Sequence, residues 1–217
     1  MSRFVKWLPP PWTLLYFLGI LLSVTIFVFF SQAAYRQGGF AFDDYLLTLF
    51  NHLETPLGVR SAIAIDIFAI SYLLGTLILI ASVGLWRRSK RSAVFMTLGF
   101  WGAVLINILA KAFFSRARPE LFEQLTPITN SSFPSGHAMG SFAFWLVALL
   151  VVRRLYPRQR GWIAVLGGIF AFSVGLSRVY LQVHYPSDVL AGWALSAAWV
   201  LGLGIWYSHP YKTIRNS

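Results

Sequence analysis

Cysteine is absent from the sequence, which excludes disulfides and thiolate metal ligands at once. Charge is scarce as well. Asp, Glu, Lys and Arg make up 12% of the 217 residues, where an average soluble domain carries roughly a quarter. Acidic residues are the rarest, seven against eighteen basic ones, for a formal net charge of +11. No internal repeat or low-complexity tract stands out, which weighs against a transporter of inverted-repeat design. What fills the chain instead is apolar: 57% hydrophobic residues, with nineteen Phe, nine Trp and nine Tyr. That aromatic load suits a chain that meets a bilayer at its interfaces. The net charge does not mark a nucleic-acid partner, because the basic residues lie in short clusters between apolar runs.

About 20 mostly apolar residues at 1.5 Å rise cross a hydrocarbon core of about 30 Å. Six segments meet that requirement, approximately Trp12 to Phe30, Ile67 to Trp86, Ala93 to Phe113, Gly136 to Val152, Trp162 to Leu176 and Val189 to Tyr207. The expectation is an all-α polytopic membrane protein with six transmembrane helices, forming one membrane-embedded domain over residues 1–217. The first apolar run, which follows Arg3 and Lys6, is too long for a signal-peptide core and lacks a small-residue cleavage site, so it reads as a retained span.

Basic residues cluster on one side. Arg87, Arg88, Lys90 and Arg91 separate spans two and three, and Arg153, Arg154, Arg158 and Arg160 separate spans four and five. Arg3, Lys6, Lys212 and Arg215 join them. The seven acidic residues fall on the other side or at its membrane boundary. The positive-inside rule then places both termini in the cytoplasm. In the outer segment 31–66, Phe42, Leu46, Leu49, Phe50 and Leu53 recur at helical spacing. They predict an additional interfacial helix with its apolar face toward lipid; a helix packed on the top of the bundle fits the same spacing.

Ionisable groups near a hydrocarbon core cost a few kcal/mol each and call for an explanation. They gather at three places on the outer side. Lys111 and Arg118 are seven residues apart at the end of span three, on one helical face until Pro119 ends the helix. Two cations with no acidic residue between them suit an anion, although a lysine there also snorkels to the interface. Pro134-Ser135-Gly136-His137 opens span four, where free backbone N–H groups and the helix dipole favour a phosphate. Such a start also serves as simple capping. Ser177-Arg178 precedes His184-Tyr185-Pro186-Ser187-Asp188 at the entry to span six. Pro186 suits the first helical turn, so Asp188 can reach back to one nitrogen of His184. A plain hydrogen-bonded pair is the alternative there. Together the three places supply phosphate donors, an oriented nucleophile and a second histidine for proton transfer.

The pattern Lys-x6-Arg-Pro, Pro-Ser-Gly-His and Ser-Arg-x5-His-x3-Asp resembles the signature of the type-2 phosphatidic acid phosphatase superfamily, with no departure at a signature position. The resemblance implies a bacterial membrane lipid phosphatase, similar to phosphatidylglycerophosphatases and undecaprenyl pyrophosphate phosphatases. His184 would attack phosphorus to form a phosphohistidine, oriented by Asp188. His137 would protonate the leaving oxygen and then activate water. Lys111, Arg118, Ser135, Gly136 and Arg178 would hold the phosphate oxygens. No cofactor and no metal are implied, and no carboxylate cluster near the motifs suggests one. The implied partner is a membrane lipid phosphate at the outer face: undecaprenyl pyrophosphate, phosphatidylglycerol phosphate, phosphatidic acid or a lipid A phosphate. Haloperoxidase chemistry, known in the same superfamily, belongs to soluble proteins. A phosphate-lipid carrier without catalysis is the competing reading, but transport has no need of His184, Asp188 and His137 together.

Overall fold

A computed structural model describes residues 11–36, 39–126 and 128–209. Arg3, Lys6, Lys212 and Arg215, which enter the orientation argument, lie outside the described residues. Eight helices follow in order: α1 (Pro11–Tyr35), α2 (Ala41–His52), α3 (Pro56–Phe68), α4 (Ser71–Leu85), α5 (Lys90–Phe114), α6 (Gly136–Leu155), α7 (Arg160–Tyr180) and α8 (Pro186–Ser208). The described residues contain no strand.

Local chemistry sets the ends of these helices. Ser89 accepts from the Ser92 amide and starts α5 at the edge of a basic turn. Thr55 accepts from the Gly58 amide, and Pro56 takes the first position of α3. Pro186 does the same for α8, where Asp188 reaches back to the Tyr185 amide at 3.0 Å. Ser115, in the left-handed region at φ 47°, stops α5.

The long helices α1, α5, α6, α7 and α8 are each apolar enough to cross a membrane. α8 lies centrally, packed against α1, α5 and α6, while α7 packs on α6, α4 on α5, and α3 on α7. Phe95, Phe100, Met139, Val147, Val200 and Tyr207 form the main core. The Phe95 and Tyr207 rings are stacked at 4.3 Å. Outside it, Leu14, Leu15, Phe17, Leu18, Leu21 and Leu22 of α1 are exposed. An apolar face of that extent would be a liability in water and is the ordinary surface of a helix in lipid.

Three expectations change. The second span is not one helix from Ile67 to Trp86. α3 and α4 meet at Ala69–Ile70 with a 43° bend, and α4 alone has 15 residues. Among the described residues, five helices are long and apolar enough to span, or six if the bent pair is one span. The short fifth span is a full helix of 21 residues, extended through Ser177 and Arg178. Lys111 and Arg118 do not share a helix, because α5 ends at Phe114 and Arg118 lies in the loop beyond. α2 rests on α7 and α8; its inward residues are Asp43 and Leu47, and Leu49 and Leu53 of the stripe are exposed.

The three motif regions converge. The end of α5, the start of α6, the end of α7 and the start of α8 meet at one end of the bundle. At the other end the basic turns are tied down: Arg88 donates to the Tyr156 hydroxyl at 3.1 Å, and Arg91 donates to the carbonyls of Trp206 and His209.

Candidate active site

Five residues, 181–185, join α7 to α8 and carry His184. The connection is pinned at every step. Gln182 turns the chain in the left-handed region at φ 59°, and its side-chain amide donates to the Leu47 carbonyl of α2 at 3.0 Å. The Val183 amide donates to the Arg178 carbonyl, and the Leu125 amide donates to that of Leu181. His184 is 2% exposed.

Its two ring nitrogens face different groups. Nε2 lies 3.3 Å from Arg118 Nη1. A guanidinium only donates, so Nε2 presents its lone pair on that side. Nδ1 then carries the proton and faces Asp188 Oδ2 at 3.4 Å, with the Ser132 hydroxyl also at 3.4 Å. Asp188 is itself held on all sides. It accepts from the Tyr185 amide, from Ser132 Oγ and from Arg116 Nη1. Burial first, then the cations Arg118, Lys111 and Arg178, hold His184 well below its ordinary value. The imidazole is therefore neutral at neutral pH, as a nucleophile must be.

Around Nε2 stand the other residues singled out in the sequence. Lys111 leaves the last turn of α5 and donates to the Ser131 carbonyl. Arg118 is clamped by the Asn130 carbonyl at 2.8 Å, the Asn130 side chain at 2.6 Å and the Val183 carbonyl. Burial and neighbouring Arg178 lower its value to about 10, so it stays cationic at neutral pH. Arg178, fully buried on α7, pairs through Nη1 with Asp66 of α3. Its Nε and Nη2 have no partner, and neither does Ser135 Oγ at the start of α6. Each buried polar atom left so costs about 1–3 kcal/mol, and such atoms are the natural donors for a bound anion. Gly136 follows at the amino end of α6, where a Cβ would come within 3.0 Å of Asn107 Oδ1. His137 Nε2 lies 3.5 Å from Asp66 Oδ1. The structure thus brings His184, His137, Asp188, Lys111, Arg118, Ser135, Gly136 and Arg178 to one place.

Several residues here were not singled out from the sequence. Arg116 and Ser132 brace Asp188, and Asp43 of α2 pairs with Arg116 and accepts from the Ser187 amide and hydroxyl. Asp66 pairs with Arg178 and faces His137. Asn107 donates to the Pro134 carbonyl. The available signal was the one used for the motifs: a polar group in or beside an apolar run. Among the described residues, no group of three or more His, Asp or Glu is arranged to hold a metal ion.

Comparison with known proteins gives the same picture. The sequence profile of the PAP2 superfamily matches residues 92–214. Phosphatidylglycerophosphatase B of Bacillus subtilis is 33% identical over 130 residues, 58% of this chain and 64% of the relative. Undecaprenyl-diphosphatase of Sulfolobus acidocaldarius is 31% identical over 138 residues, 60% of this chain and 63% of the relative. The chain thus spans just under two thirds of the length of these curated relatives. The crystal structure of a transmembrane PAP2-type phosphatidylglycerolphosphate phosphatase from Bacillus subtilis superposes with a TM-score of 0.76 at 28% identity, covering 89% of this chain and 98% of that one. With more than half of its length matched by the profile, its helices long and apolar enough for a bilayer, and its motif residues gathered at one end of the bundle, the chain is an integral membrane protein that belongs to the PAP2 superfamily.

Proposed function

We propose that this protein is a lipid phosphatase that transfers the phosphoryl group of a membrane lipid phosphate to His184 and then to water. One observation carries the reading: the lone-pair nitrogen of His184 lies 3.3 Å from the Arg118 guanidinium, with Lys111 and Arg178 close enough to act on the ring, while its protonated nitrogen faces a buried carboxylate. Nε2 attacks phosphorus, the bond from phosphorus to the lipid oxygen breaks, and His137 gives that oxygen a proton. Water then attacks phosphorus, His137 takes its proton, the bond to Nε2 breaks, and phosphate leaves. Lys111, Arg118, Arg178, the Ser135 hydroxyl and the Gly136 amide hold the three equatorial oxygens, where charge accumulates in the transition state. Asp188 stabilises the charge that the attacking imidazole acquires. The residues perform each step without a cofactor.

The names of the relatives support a phosphorylated membrane lipid as substrate, with phosphatidylglycerol phosphate and undecaprenyl pyrophosphate as the first candidates and lipid A phosphates next; phosphatidic acid joins the panel from the resemblance of the motifs. The charge distribution along the sequence supports both termini in the cytoplasm and a site open to the outer face of a bacterial inner membrane. α2, lying beside α8 at the site end, is then at the level of the outer interface.

The test is phosphate release from that lipid panel by the detergent-solubilised full chain. His184→Ala is expected to fall to background, and near-normal turnover would overturn the mechanism. Vanadate is expected to inhibit and EDTA to leave the rate unchanged; a strong loss with EDTA would overturn the metal-free reading. A carrier without catalysis would bind the lipids and release no phosphate.

A further inference from the structure

His137 has a charge problem that the signature residues do not solve. To give up a proton it must first hold one, and the resulting imidazolium would stand in a pocket with Arg178, Lys111 and Arg118. Burial, with only 26% of the side chain exposed, and like charges at such range both disfavour the protonated form. The group that faces the ring with the opposite sign is Asp66, whose Oδ1 is 3.5 Å from His137 Nε2. Asp66 sits near the end of α3, in the part of the chain that precedes the superfamily match at 92–214.

Its position is built. α3 packs on α7 through Ala62, which meets Leu181 and Val183 of the His184 loop. The Tyr180 hydroxyl accepts from the Thr55 amide at 3.0 Å and donates to the Leu53 carbonyl at 3.2 Å, fixing the entry to α3. At the other end of α3 the carboxylate pairs with fully buried Arg178. Only 18% of the Asp66 side chain is exposed. One carboxylate thus pairs with a cation of the phosphate clamp and stands within ion-pair range of the second histidine, whose Nε2 has no hydrogen-bond partner.

We propose that Asp66 is a positioning residue for proton transfer. It stabilises protonated His137 among three cations and so makes the imidazole available as an acid for the leaving oxygen. The site then holds two carboxylate–histidine pairs with opposite tasks. Asp188 orients a neutral histidine for attack, and Asp66 sustains a charged one for donation. This inference rests on the phosphatase reading above.

The test uses the full chain in detergent micelles with two substrates, long-chain phosphatidic acid and p-nitrophenyl phosphate. An alkoxide needs a proton to leave, whereas p-nitrophenolate leaves without one. Asp66→Asn keeps an oxygen acceptor for Arg178 and removes the charge. It is expected to lower the single-turnover rate of alcohol release from phosphatidic acid, the step ahead of the hydrolysis in which His137 acts as base, by about 10–100-fold, within the range that acid catalysis supplies, and that of p-nitrophenolate release by less than about threefold. Asp66→Glu should recover part of the loss, and adding Asp66→Asn to His137→Ala should lower the phosphatidic acid rate no further. Vanadate inhibition, which reads the phosphate clamp, should stay within about threefold of wild type. Equal losses on the two substrates, no loss on either, or vanadate inhibition weakened in step with the alcohol-release rate would overturn the proposal. A wild-type chain that releases no phosphate would remove the phosphatase reading and this inference with it; an active one indifferent to Asp66→Asn removes the inference alone.

Discussion

Arg116 Nη1 lies 2.5 Å from Asp188 Oδ1, on the far side of the carboxylate from the oxygen that faces His184. The guanidinium is 2% exposed and the carboxylate fully buried. Arg116 also stacks on the Tyr185 ring at 4.0 Å and pairs with Asp43. A carboxylate that stabilises a charged histidine must stay ionised although burial opposes this, and the arginine behind it does that work.

Removing one partner of a buried ion pair costs about 3–5 kcal/mol, because the other charge is left uncompensated. Arg116→Ala is therefore expected to lower the thermal midpoint in detergent and to reduce kcat more than KM. Arg116→Lys keeps the charge but not the forked contacts to Asp188, Ser187 and Asp43, and should fall in between. A midpoint within a degree of wild type and unchanged kcat for Arg116→Ala would show that Asp188 has no need of it.

The depressed value of His184 has a sign that can be checked. Its ordinary value of about 6.5 applies to the unfolded chain, and the folded value lies well below. Between the two, only the unfolded chain binds the proton, so stability rises with pH across that window and is lost as pH falls below about 6.5. The lone pair stays available over the same window. The acid limb of kcat/KM is thus expected below pH 6.5. Arg118→Gln takes away the cation that acts most strongly on the ring and should move that limb to higher pH, besides lowering its height. The substrate's own ionisation affects both proteins alike. A limb that stays put in the variant would mean that Arg118 does not hold the imidazole neutral.

Gly192 of α8 lies against the start of α6. A Cβ there would sit 2.9 Å from the Ser135 carbonyl, a backbone atom that has no rotamer to escape into. Gly192→Ala is expected to cost about 1–3 kcal/mol and to reduce turnover by displacing Ser135, Gly136 and His137 together. Gly202→Ala, on the same helix with nothing within 4 Å of its Cβ, should leave both quantities near wild type. If the two variants behave alike, the close approach at Gly192 is not what holds the α6 start in place.

The sequence made the site legible where chemistry and spacing coincide. His184 and Asp188 are four apart across a proline, and that alone places the carboxylate in the first turn of α8. Ser135 and Gly136 open a helix, as a Pro-Ser-Gly run suggests. Arg116 was hidden because it lies between Lys111 and Arg118, and its partners Asp43 and Asp188 are 73 and 72 residues away; no local pattern reports such a pairing. Asp66 carried a signal that went unused. An acid in the apolar run from Ile63 to Phe68 is costly, yet it served only to mark a side of the membrane. The break at Ala69–Ile70 had no proline or glycine to announce it, and hydropathy runs straight through it. Spacing alone left α2 between the lipid interface and the top of the bundle; its inward anchor is Asp43, which bonds Ser187 on α8, and no local pattern reports a partner so far along the chain.

The five-residue connection bearing His184 has one more implication, concerning what a ligand must spend on arrival. Gln182, Val183 and Leu181 are each hydrogen-bonded to a separate part of the protein, so no segment has to be ordered when an anion enters. Compact tetrahedral or trigonal-bipyramidal oxyanions should therefore bind with little entropic loss from the backbone. Selection among lipids then falls to the parts of the molecule beyond the headgroup phosphorus, and inhibitors of this site gain most by extending outward from a rigid oxyanion anchor.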